Sequence, residues 1–242
     1  MLTLILAQAL AANPESSLTW ELSAGGTPLG TRTVTVKILP GDHGTHRVVE
    51  AFTELSGNIG PIGIQFRQRL TAHAEGTAPA SFHSVMDEGG RASEIQGRWT
   101  PSGWVVSTNL AGRSRSADYP PSRIDLSTAD LMDPESRVAL ANQGETVRIL
   151  SDITGEVQTG PLEKLGPSEV KIAGTPIPVE GYAWTSPEGR SVFYYSAEGY
   201  LVKYQTHVMG VGMQGVLKSA PPGGIDDFAV GIGRPKVEIL PL

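Results

Sequence analysis

The chain has no cysteine among its 242 residues. That excludes a disulfide framework, a thiol nucleophile, a lipid-acylated cysteine and any thiolate metal site. Charge is sparse: Asp, Glu, Lys and Arg supply 18% of the residues, and the formal net charge is −6. A nucleic-acid binder needs a basic face, and this balance argues against one. No segment reaches about 18 consecutive apolar residues, so no transmembrane helix is expected. Glycine and proline, by contrast, are plentiful at 29 and 18. They are the residues of turns, and the chain between them reads as strand.

The first residues, MLTLILAQALAANPES, combine an apolar core from Leu2 to Leu10 with small residues at Ala7, Ala9 and Ala11. This is the pattern of a secretory signal peptide over 1–12, although the usual basic residue near the start is missing. The other reading is an apolar N-terminal strand or helix of the fold itself. On the first reading the mature protein is periplasmic or secreted, with a single domain over 13–220 and a C-terminal tail over 221–242.

Within the domain the apolar residues alternate. Val34, Val36 and Ile38 are interleaved with Thr33, Thr35 and Lys37, and Ile62, Ile64, Phe66, Gln68, Leu70 and Ala72 face away from Gln65, Arg67, Arg69 and Thr71. Period two with one apolar face describes a strand on a half-buried sheet. Strands are expected at 18–24, 31–39, 46–55, 62–72, 80–86, 92–100 and 104–110. More follow over 146–217, separated by turns at Thr154-Gly155, Gly166-Pro167, Pro187-Glu188-Gly189 and Glu198-Gly199. A loop is expected at 56–61, and another at 111–123, which is polar and proline-bearing. One short helix is expected at 136–142, with Asp133 as its N-cap and Pro134 at the first helical position. The total is about a dozen strands and one helix.

Little catalytic vocabulary interrupts this pattern. Gly210, Gly212 and Gly215 match the spacing of a dinucleotide-binding loop, but both flanks read as strand and no helix follows to hold a phosphate. Glycines that bend a strand or admit a close neighbour explain them better. Asp42, His43 and His46 share a turn, yet no further ligand is near in sequence and His73, His83 and His207 are scattered. No metal is expected. Asp87-Glu88 and Asp226-Asp227 sit beside glycine pairs as turn residues. No cofactor and no enzymatic activity are expected. Arg113, Arg115 and Arg123 cluster around Tyr119, either as a solvated loop or as a contact for an anionic group at a cavity mouth. The strand aromatics are either core or the lining of a groove. On the groove reading, the ligand-binding residues are Phe66, Trp104, Trp184, Tyr195, Val202 and Tyr204.

Several short motifs point to a family. The stretch LTWELSAGGTPLGTRTVTV resembles the opening hairpin of exported bacterial families known only as domains of unknown function, of the 3108/6134 type. The strand from Gly166 to Gly174, AWT at 183–185 and YYSAEGYLVK at 194–203 are similar in order to their second half. The resemblance implies a lipoprotein-carrier-like fold: mainly β, a strongly curved antiparallel sheet forming a half-barrel or open barrel. It further implies a concave groove for a lipid or other apolar or amphipathic ligand. The alternative is a structural or protein-interaction module, with an envelope protein as partner.

If the leader is a signal peptide, expression in a Gram-negative host should yield a mature N-terminus between Ala9 and Asn13, as read by N-terminal sequencing. Recovery of intact Met1 from the cytosol alone would contradict export.

Overall fold

The computed structural model describes residues 16–41, 44–75, 78–128, 131, 146–197, 199–208 and 211–218. They form fifteen strands in one sheet. In chain order these are β1 (Ser16–Ala24), β2 (Thr27–Gly41), β3 (Gly44–Ile59), β4 (Ile62–Glu75), β5 (Ala78–Glu88), β6 (Arg91–Thr100), β7 (Gly103–Leu110) and β8 (Arg113–Tyr119). Then come β9 (Leu126–Ser127), β10 (Thr146–Leu150), β11 (Val157–Ile172), β12 (Thr175–Ser186), β13 (Gly189–Ser196), β14 (Leu201–Val208) and β15 (Val211–Leu217).

The sheet order is β8-β7-β6-β5-β4-β3-β2-β1-β15-β14-β13-β12-β11-β10-β9. Nearly every neighbour is a hairpin partner, which antiparallel pairing allows with very short turns. The exceptions are β1–β15, which joins the two ends of the described domain antiparallel, and the short parallel pair β9–β10. The sheet does not close: β8 and β9, both from the middle of the chain, are its two edges.

The sheet is longer and less interrupted than the sequence implied. The expected loop at 56–61 contracts to a Gly60-Pro61 turn, with Ile59 opposite Ile62. Gly166-Pro167 is no turn. It lies inside β11, where the register with β12 shifts between Lys164 and Gly166, so one long strand bends instead of two short ones meeting. The expected loop at 111–123 contains β8, followed by a single turn of 3-10 helix at Pro121–Arg123. An edge strand with both faces near water needs no apolar alternation, which is why RSRSADY did not read as strand. The expected helix at 136–142, the leader and the tail lie outside the described residues. Among the described residues, no helix is long and apolar enough to cross a membrane.

The inner face carries the core. Trp20, Leu22, Val34, Leu55, Leu70, Ile95, Val106, Ile149 and Leu217 are all buried and belong to one continuous cluster. Buried aromatics satisfy their polar ends on the backbone: Trp20 Nε1 donates to the Leu201 carbonyl at 3.0 Å, and Trp184 Nε1 to that of Val147 at 3.2 Å. At the β9 edge, Arg148 grips Asp125 with Nη2 and Nε, at 2.8 and 3.0 Å, and adds its backbone N–H at 2.8 Å. Burial alone would raise the Asp125 carboxyl, but these bonds outweigh it and hold its pKa below the ordinary value.

The glycine-rich segment near the C-terminal end is strand β15, so no phosphate loop forms there. Gly215 faces Tyr204 across β14–β15, and a Cβ on it would lie 2.3 Å from the tyrosine ring. The glycine makes room for the aromatic. Gly215→Ala should therefore overpack this contact and cost about 1–3 kcal/mol. Gly63→Ala, where the nearest atom would be Asn58 Oδ1 at 3.5 Å, should change stability by less than about 0.5 kcal/mol in the same urea titration.

Candidate functional site: an internal cavity with a polar stripe

The inner face is not filled completely. A cavity of about 140 Å³ lies between β1–β4 on one side and β10–β15 on the other. Its apolar wall includes Leu22, Leu55, Phe66, Trp184, Phe193 and Met213. A wider depression of about 760 Å³ beside the β3–β4 hairpin shares Leu55, Phe66 and Met213 with it as a common wall.

Across this apolar wall runs a polar row produced by strand register. Arg32 on β2 lies opposite Thr53 on β3, and Thr53 lies opposite Gln68 on β4. Arg32 Nη1 donates to Thr53 Oγ1 at 3.3 Å. Gln68, 2% exposed, donates from Nε2 to Ser84 Oγ at 3.0 Å and to Asp152 Oδ2 at 3.2 Å. Asp152 is itself buried, and its other oxygen accepts from Thr128 Oγ1 at 2.5 Å. Both side-chain oxygens are thus engaged, which is how a polar side chain is tolerated inside a protein. Tyr204 borders the cavity as well. Burial raises the pKa of its hydroxyl, with the Arg32 charge pulling the other way.

Asp152 belongs to the 151–156 turn between β10 and β11, which reaches across the open side of the sheet. Gly155 lies against Thr108, Ile95 and Val106, and a Cβ on it would be 2.4 Å from Thr108 Cγ2. Tyr119 on β8 donates its hydroxyl to the Gly155 carbonyl at 3.2 Å, and Arg115 Nη1 meets Glu156 Oε1 at 2.8 Å. The two edges of the sheet approach each other through this turn, without backbone pairing between them.

The structure divides the sequence-derived ligand residues. Phe66, Trp184 and Tyr204 border the cavity. Trp104, Tyr195 and Val202 do not. Trp104 packs edge-on to Trp99 and against Phe82. Tyr195 packs edge-on to Tyr182 and donates to the Leu131 carbonyl at 3.1 Å. Val202 is fully buried where the β13–β14 register shifts. The Arg113, Arg115 and Arg123 cluster is off the cavity too. The first two lie on edge strand β8 and the third in the following turn, while Arg115 is neutralised by Glu156. Arg115 and Arg123 nevertheless act on the Tyr119 hydroxyl, whose pKa burial raises against their pull.

Sequence reading missed Arg32, Thr53, Gln68 and Asp152. Gln68 was visible as the single polar residue on the apolar face of its strand, and Arg32 as a charge in phase with Val34 and Val36. The histidines are less scattered than expected: His46 Nε2 and His73 Nδ1 lie 3.2 Å apart on β3 and β4. Burial first, then the neighbouring His46, lowers the pKa of His73, opposed by Glu50. Asp42 and His43 are outside the described residues. No group of three or more potential metal ligands forms among the described residues. Asp87 caps its turn, accepting the Gly90 N–H at 2.8 Å.

These features define a β-barrel-like protein: one long antiparallel sheet, curled but not closed, around a small cavity. The chain belongs to the family described as Domain of unknown function (DUF6134), whose model matches residues 20–214. None of the curated proteins matches it. Among solved structures it is similar to a beta-barrel-like protein of domain of unknown function DUF1849 from Brucella abortus. That likeness has a TM-score of 0.53 at 10% identity and covers 84% of this chain and 95% of the other. It concerns the fold alone.

Phe66 is 6% exposed but has the cavity on one side. Phe66→Ala should cost about 3 kcal/mol in chemical denaturation, the low end for a buried phenylalanine. Arg67→Ala on the outer face breaks only an exposed pair with Glu54 (2.9 Å) and should cost less than about 1 kcal/mol.

Proposed function

We propose that this chain is an exported, non-enzymatic protein of the cell envelope that holds a hydrophobic or amphipathic ligand inside its curled sheet. The observation that carries the reading is the cavity. Packed cores hold few voids larger than a water molecule, and an engineered apolar cavity of about 150 Å³ is enough to take up benzene. A comparable space walled by Leu22, Leu55, Phe66, Phe193 and Met213 is an energetically favourable place for apolar atoms. The apolar leader supports export. The engagement of both Asp152 oxygens supports a structural role for this buried side chain.

The second reading, an interaction module without a small ligand, draws on β8. Its outer edge has no strand partner among the described residues, and such edges can recruit a partner strand. Arg113, Arg115 and Asp118 along it are the charged residues that discourage such pairing, so the edge favours this reading less than the cavity favours the first.

An environment-sensitive naphthalene dye should bind the purified protein saturably, near one to one, with micromolar affinity. Met213→Trp, placed on the wall common to cavity and depression, should weaken binding about tenfold or more while circular dichroism stays native. Failure of the folded wild-type protein to bind apolar dyes, fatty acids and phospholipids saturably would overturn the proposal and leave the interaction module.

A further inference from the structure

Arg32 stands out on the inner face. It is half-buried, borders the cavity, and its hydrogen bond is the one to Thr53. Its Nε is shielded from solvent and has no hydrogen-bond partner among the described residues. Among the described residues no ion pair joins it to a carboxylate: the buried acid of the cavity wall, Asp152, is committed to Gln68 and Thr128, and Glu188, the other acid of the lining, is exposed in the β12–β13 turn. Several cations on the outer face and edges of the sheet have acidic partners, as Lys37 has Glu50, Arg67 Glu54, Arg115 Glu156 and Arg190 Glu163, whereas Arg32 is the arginine on the cavity wall. Removing a guanidinium from water without a counter-charge is costly, and it persists where something else supplies the compensation.

Resting on the ligand-binding reading above, we propose that the cavity is specific for a monoanionic amphiphile, a medium-chain carboxylate, whose head group pairs with Arg32 while its tail lies against Leu55, Phe66 and Met213. A single uncompensated positive charge matches a single negative one. A charge-assisted guanidinium–carboxylate bond is about twice as strong as a neutral hydrogen bond, so the head group sets selectivity as well as orientation. The Thr53 hydroxyl holds the guanidinium in the polar row. The common wall of Leu55, Phe66 and Met213 carries the apolar surface outward toward the wider depression, where a tail beyond roughly six carbons, the size that fits a cavity of this volume, continues.

Titration calorimetry of the full mature protein with octanoate, octan-1-ol and octylammonium at neutral pH tests this. The expected order is octanoate about tenfold tighter than octanol, with octylammonium weakest. Arg32→Met should bring octanoate down to the affinity of octanol and leave octanol within about twofold of wild type. Arg32→Lys should recover part of the difference. Equal binding of octanoate and octanol by the wild-type protein would overturn the Arg32 assignment while leaving the apolar cavity intact as a binding site. Binding of none of the three would overturn the ligand-binding reading itself. Should Arg32→Met fail to fold, the comparison of three ligands on the wild-type protein still decides.

Discussion

The arrangement depends on one insertion: the 151–156 turn entering the concave side of the sheet. A long antiparallel sheet twists and coils, but its two edges need not meet. Here β8 and β9 do not pair, so curvature has to be held by contacts across the interior. The turn provides them. It is braced internally by Ser151 Oγ, which accepts the Ile153 and Thr154 N–H groups, and by Gly155 N–H to the Ser151 carbonyl at 2.9 Å. From there it reaches β4 through Asp152, β6 and β7 through Gly155, and β8 through Tyr119 and Arg115. A side chain on Gly155 would collide with the Thr108 methyl on β7.

That insertion also shapes the space inside. On the side of β6 and β7 the turn replaces void with close contact, and Ile95 and Val106 become core. Toward β1, β4 and β13–β15 it stops short, and the cavity remains. Asp152 sits at the boundary. Its hydrogen bonds with Gln68 and Thr128 join the turn to the sheet wall, so the same buried carboxylate helps keep the curl and borders the cavity. Low polarity around these groups strengthens each bond and raises the cost of losing one.

Joining β1 to β15 has a topological consequence. The first and last described strands are neighbours in the middle of the sheet, and the free edges come from the middle of the chain. An apolar edge strand would invite aggregation, and β8 carries alternating charge and small polar residues instead. Its composition is therefore a consequence of its place in the sheet. Nothing local in RSRSADY favours strand over loop, which is why that segment read as a loop.

Much of the architecture was legible in the amino-acid order, because strand periodicity is local. Val34 and Val36, or Ile64, Phe66 and Leu70, alternate for a reason that holds wherever the strand is placed: one face must leave water. Turns at Pro187-Glu188 and Thr154-Gly155 were legible for the same reason, as was the strand character of the glycine-rich 211–215 segment. The site was legible only in part. Phe66, Trp184 and Tyr204 were anticipated beside the cavity, whereas Trp104, Tyr195 and Val202, with the same composition and phase, are packed elsewhere. Periodicity tells which face a residue shares and cannot tell how fully that face is filled. Arg32, Thr53 and Gln68 become neighbours only through the register of three strands, and Asp152 joins them across 84 positions of sequence. The amino-acid sequence determined the strands and their apolar face; tertiary structure decided where that face stays open and which charge it leaves unpaired, since both depend on how distant strands meet.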